Sequence, residues 1–118
     1  MSFLLEQISA LNDMIIQGEN LDAFEKFYSD DIVMQENDEE PTIGKEANRK
    51  RETDFVNSII EMRAARPLNV AIGEGVTMVR WYFDYTHEEW GSMKYTQVAV
   101  QEWKNGLIVK EQYLYNKN

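Results

Sequence analysis

The sequence predicts an α+β fold: three N-terminal helices packed on a strongly curved, mainly antiparallel sheet that forms a cone with an internal cavity. Two observations carry this. In the first half, apolar residues recur at helical spacing, whereas downstream of Pro67 the period changes to two. Between the helices lies FYSDDIVMQENDEEPTIGKEA, Phe27 to Ala47, where a helical pattern ends at Asp30-Asp31, a short strand follows, and a third helix opens at Gly44.

The first helix spans residues 2–17, with Ser2 as N-cap, Phe3, Leu4, Ile8, Leu11 and Ile15 on one face, and Gly18 as its stop. Asn20 caps a second helix that buries Leu21, Phe24, Phe27 and Tyr28. Ile32 to Glu36 reads as a peripheral strand, and Asn37 to Thr42, acidic and containing Pro41, as a loop. A third helix is expected from Lys45 to about Ala64, with Ala47, Phe55, Ile59 and Ile60 as its apolar contacts and a solvated face of mixed charge around Lys45, Arg49, Lys50, Arg51, Glu46 and Glu52.

Leu68, Val70 and Ile72 then alternate towards a hairpin at Gly73-Glu74-Gly75. Val76 to Tyr85 is apolar on both faces, so both faces are expected to be covered, one by helices and one by a second subunit. A turn near Glu88 to Gly91, a strand from Met93 to Trp103, the Asn105-Gly106 hairpin signal and a strand from Leu107 to Tyr115 complete a four-strand meander.

At 118 residues one domain, 1–118, is expected. A formal charge of −9 excludes nucleic acid and anionic membrane as partners, because phosphates are repelled. There is no cysteine, no basic-then-apolar leader and no apolar run of membrane-spanning length, so a cytoplasmic location is expected. No phosphate-binding loop, nucleophile elbow or Ser/His pairing occurs, and no cofactor is expected. Asn37 to Glu40 lacks the alternating spacing that turns oxygens onto calcium, so no metal is expected. His87, the lone histidine, lies near a hairpin tip and reads as exposed and idle.

The order helix, glycine turn, helix ending in FYSDD, short strand, acidic loop, P-x-x-G helix start and a meander with an Asn-Gly turn resembles the nuclear-transport-factor-2-like superfamily. Within it, residues 5–115 look like the SnoaL-like polyketide-cyclase and ketosteroid-isomerase-like branch. The resemblance places Glu36 where ketosteroid isomerases carry the carboxylate that abstracts a proton beside a carbonyl, and Tyr28 at a tyrosine supporting their oxyanion hole. The two oxyanion donors are replaced, by Leu11 or Asn12 on the first helix and by Ala99 on the strand. It also implies that Gln97, Ala99, Gln101, Trp103, Val109, Glu111, Tyr113 and Tyr115 face the cavity, joined by Trp81, Phe83 and Tyr85.

The candidate catalytic residues are therefore Glu36 and Glu111. The candidate ligand contacts are Tyr28, Trp81, Phe83, Tyr85, Gln97, Gln101, Trp103, Tyr113 and Tyr115. Such a wall suits a small hydrophobic molecule with a few polar groups, bound by a homodimer that pairs through the outer sheet face at Met78, Arg80, Tyr82, Ile108 and Leu114. The alternatives are a cofactor-free isomerase, cyclase or dehydratase of a hydrophobic carbonyl compound with Glu36 as base, and a protein-interaction module.

Overall fold

The structure is a computed structural model describing residues 3–116; the Ser2 cap lies outside them. In chain order it comprises α1 (Phe3–Ile16), α2 (Asn20–Phe27), β1 (Tyr28–Glu36), β2 (Thr42–Ile43), α3 (Lys45–Ser58), β3 (Ile59–Gly73), β4 (Val76–His87), β5 (Gly91–Lys104) and β6 (Leu107–Leu114). The six strands form one sheet in the order β2-β1-β6-β5-β4-β3. β1 runs parallel to β6 and every other pairing is antiparallel. The expected α+β architecture is present, with the helices on the inner face of the curved sheet.

Several boundaries differ from the sequence reading. The second helix ends at Phe27, not at Asp30-Asp31, and Tyr28 opens β1 in extended conformation. Two aspartates are disfavoured at the negative C-terminal end of a helix. They sit instead exposed in an irregularity where the β1–β6 register jumps between Tyr28 and Val33. The expected acidic loop contains the start of β2, whose Thr42 and Ile43 pair with Met34 and Val33.

The third helix stops at Ser58 rather than Ala64, because the β-branched pair Ile59-Ile60 begins a strand. Pro67 therefore lies inside β3, where an edge strand and a neighbouring register shift accommodate its missing N–H. Ala47 is exposed, and α3 instead buries Asn48. The Asn48 side-chain amide donates to the carbonyls of Gly44 (2.8 Å) and Thr42 (3.0 Å), fastening the start of α3 to the strand before it. Gly44, at φ 96° and ψ 153°, occupies a region essentially restricted to glycine.

The Asn105-Gly106 turn forms as expected, with both residues at positive φ (54° and 81°). Beside it an irregularity pairs Trp103 with Ile108 although Glu102 pairs with Lys110. This extra residue reverses the facing of the first part of β6. Ile108 is fully buried in the core rather than on the outer face, and Val109 is left without a direct partner and off the cavity wall. The core joins Ile8 and Leu11 of α1, Phe24 and Phe27 of α2, Ile32 and Met34 of β1, and Val79, Trp81, Trp103 and Ile108 of the sheet. No helix among the described residues is long and apolar enough to cross a membrane.

Candidate functional site

Between the helices and the concave face of the sheet lies a cavity of about 890 Å³. Its walls follow from two periodicities. Alternate residues of β4, β5 and β6 turn Trp81, Phe83, Tyr85, Tyr95, Gln97, Ala99, Gln101, Glu111 and Tyr113 inwards, Tyr115 joins them just past the end of β6, and helical spacing on α3 presents Glu52 and Phe55. β1 adds Tyr28 and Glu36. Of the anticipated ligand contacts all but one line this space. Trp103 does not: it packs edge-on against Phe27 (6.4 Å between centroids) and donates from Nε1 to Thr77 Oγ1 at 2.9 Å, as part of the core.

The aromatic wall is continuous. Trp81 and Phe83, two apart on one strand, stack at 5.4 Å and 12°. Phe83 meets Tyr95 across the β4–β5 pair, and Tyr95 meets Tyr115, each at 5.9 Å. The hydroxyls of Tyr85 and Tyr95 bond at 2.7 Å, which fixes both rings.

Four glutamates line the cavity; Glu89 is exposed in the β4–β5 turn, and the other three have different surroundings. Glu111 is buried and fully engaged: its Oε1 accepts from the Tyr28 hydroxyl (2.5 Å) and the Tyr113 hydroxyl (2.6 Å), and its Oε2 from the Gln101 amide (2.7 Å). Gln101 Oε1 accepts in turn from Thr77 (2.6 Å), so the chain of bonds runs from Trp103 to both tyrosines. Burial pushes the Glu111 carboxyl above the ordinary carboxylate range, and the three donors pull it partly back. Burial, with the Glu111 charge beside them, raises the Tyr28 and Tyr113 phenols well above their usual value. They remain donors at all ordinary pH.

Glu36 lies at the wall and is half-exposed. Its Oε2 takes Arg51 at 2.6 Å and its Oε1 accepts from the Tyr115 hydroxyl. Each oxygen thus has one partner within the protein and keeps one lone pair open.

Glu52 is the residue that the sequence reading assigned to the solvated face of α3. It lines the cavity and makes no hydrogen bond or ion pair. Its carboxyl is pushed up to about 7, first by burial and then by the Glu111 charge, with Arg51 opposing and Glu36 adding. A signal was present: Asn48, Glu52 and Phe55 are spaced i, i+4, i+7, one stripe of the helix, but Lys45, Arg49 and Lys50 dominate the segment. His87 is also misread by the sequence. It is buried (5% exposed), stacks on Trp90 at 3.7 Å, and accepts the backbone N–H groups of Glu89 and Trp90 at Nδ1, so the hairpin end folds over the cavity.

Comparison with known proteins gives a consistent family. The model of the SnoaL-like domain matches residues 5–115. A protein from Mesorhizobium loti, named as a SnoaL-like polyketide cyclase, is similar at 26% identity and a TM-score of 0.83, covering 96% of this chain and 98% of its own. An NTF2-like protein of unknown function from Burkholderia pseudomallei aligns at 15% identity and 0.83, over 98% and 92% of the two chains. A protein of ketosteroid isomerase-like fold from Catenulispora acidiphila, in complex with trimethylamine, aligns at 10% identity and 0.77, over 95% and 86%. The latter two, at such identity, carry the fold alone. Comparison with curated proteins finds no match. The matched model spans nearly the whole chain, including every strand that shapes the cavity, and the chain belongs to the SnoaL-like domain family.

Proposed function

We propose that this protein binds a small hydrophobic molecule carrying few polar groups in the space between α3 and the sheet. The observation that carries this reading is the aromatic wall of Trp81, Phe83, Tyr95 and Tyr115, whose rings border about 890 Å³ of open space instead of filling it. The Tyr85–Tyr95 bond holds one of these rings, Tyr95, in place before a ligand arrives, which lowers the entropy cost of binding. The polar groups at Tyr28, Gln101, Glu111 and Tyr113 are fixed by hydrogen bonds to one another, as orientation of such a ligand requires.

Gln97 lines the cavity from the middle of β5 and is a suitable place to close it. N-Phenylnaphthylamine, an uncharged fluorescent dye, should bind saturably at one site per chain. Gln97→Trp, by filling the space with an indole, should weaken that binding roughly tenfold or more. Equal affinity in the two proteins contradicts the reading.

A homodimer belongs to the same proposal. Met78 and Leu114 are 44% and 42% exposed, and pairing places both on the outer face with Arg80 and Val98. Sedimentation should give twice the 13.9 kDa chain mass, and a Leu114→Glu chain should run as a monomer. A monomer for the unaltered chain removes this part.

A further inference from the structure

Of the glutamates that line the cavity, Glu89 is exposed in the β4–β5 turn, and among the other three only one lacks a partner within the protein. Glu36 is matched by Arg51 and Tyr115, and the oxygens of Glu111 are filled by Tyr28, Tyr113 and Gln101. Arg51, the cation that faces Glu52 from its own helix, is already committed to Glu36. Glu52 thus presents an unpartnered, partly buried carboxyl to a space walled with aromatic faces.

An anion entering beside Glu52 would meet that carboxyl and Glu111, with Arg51 already paired to Glu36; the other cation of the cavity lining, Lys94 of β5, is an exposed side chain. A neutral hydrocarbon would leave the Glu52 oxygens dry and unpaired, which is costly. An ammonium group satisfies both demands, because its charge complements the carboxylate and its methyl or methylene groups lie on the electron-rich ring faces. We propose that the ligand of this cavity is a hydrophobic amine or quaternary ammonium compound, with Glu52 as its anionic anchor and the Trp81–Phe83–Tyr95 wall as the seat of its apolar part. This names the ligand class of the site proposed above and rests on that reading. The charged and titratable groups that bear on Glu52 are Arg51 on α3, Glu36 and Tyr28 on β1, and Glu111 and Tyr113 on β6. A cation bound among them relieves the repulsion between Glu52 and Glu111, so it also favours ionised Glu52.

The test is displacement of N-phenylnaphthylamine at about pH 8, where Glu52 is mostly ionised. The competitors are phenylbutyl-trimethylammonium, whose charge does not titrate, and its uncharged isostere with carbon in place of nitrogen. The cation should compete roughly tenfold more tightly than the isostere. Glu52→Gln should abolish that preference, with the isostere binding at least as tightly as in the unaltered protein because no carboxylate is left to be desolvated. A melting curve confirms that this variant is folded, as is expected of a side chain that makes no hydrogen bond. If the isostere competes as well as the cation in the unaltered protein, or the preference survives in Glu52→Gln, the amine assignment is overturned while the hydrophobic cavity stands. If the dye itself does not bind, the cavity reading falls and takes the amine assignment with it.

Discussion

Glu52→Gln should raise the stability of the protein at about pH 8 and leave it almost unchanged at about pH 4. The unfolded chain holds the Glu52 carboxyl near its ordinary 4.5, whereas the fold holds it at about 7. Between those values the folded state binds the extra proton, so stability falls as pH rises through this window and is lowest above it. A displacement of that size corresponds to about 3 kcal/mol, the cost of an ionised carboxylate that burial and Glu111 both disfavour. Glutamine removes the charge and keeps the shape, which makes the gain at high pH about 10 °C in melting temperature at most. Parallel pH–stability curves for the two proteins would show that Glu52 is not held in the surroundings described.

Glu111→Ala should have the opposite sign and a comparable or larger size. Removing the carboxylate strands three donors, the Tyr28 and Tyr113 hydroxyls and the Gln101 amide, which have no other acceptor in the protein. Stranded donors of this kind cost about 1–3 kcal/mol each in isolation, and breaking a buried charged set costs about 3–5 kcal/mol in all. Urea denaturation measures it. The sharper readout is the double-mutant cycle with Tyr113→Phe: that change should cost less in the Glu111→Ala background than alone, since its partner is already gone. Additive losses would mean that the two side chains do not act together. A mild loss in Glu111→Ala would mean that Glu111 is not the structural hub of the β1–β6 junction.

The contrast between these two glutamates shows what the sequence disclosed. The change of period after the helices and the Asn-Gly turn point to the fold class, and the resemblance to the nuclear-transport-factor-2-like superfamily supplies the inward faces of Gln97, Ala99 and Gln101. Strand parity is a strict rule, and it fails only at irregularities such as the one between Glu102 and Trp103, which buried Ile108 and displaced Val109. Local composition cannot reveal a bulge of that kind, because it is set by the way β6 must meet both β5 and β1.

Helix α3 was harder for a different reason. Its segment is so rich in charge that the single inward stripe of Asn48, Glu52 and Phe55 is masked. Glu36 lines the cavity, and its engagement by Arg51 depends on how α3 lies across β1, a tertiary fact. The position of His87 has the same origin. A hairpin tip is usually exposed, and here Phe55 and Trp90 close over it.

A crystal structure of the protein grown with N-phenylnaphthylamine tests the cavity most directly. Density for the dye against Trp81, Phe83 and Tyr95, with the Glu111 hydrogen bonds intact beneath it, is the expected result. Dye found only on the outer face at Met78 and Leu114, with the space beside Glu52 collapsed by inward-turned aromatic side chains, would contradict the proposal that this chain holds a small molecule there.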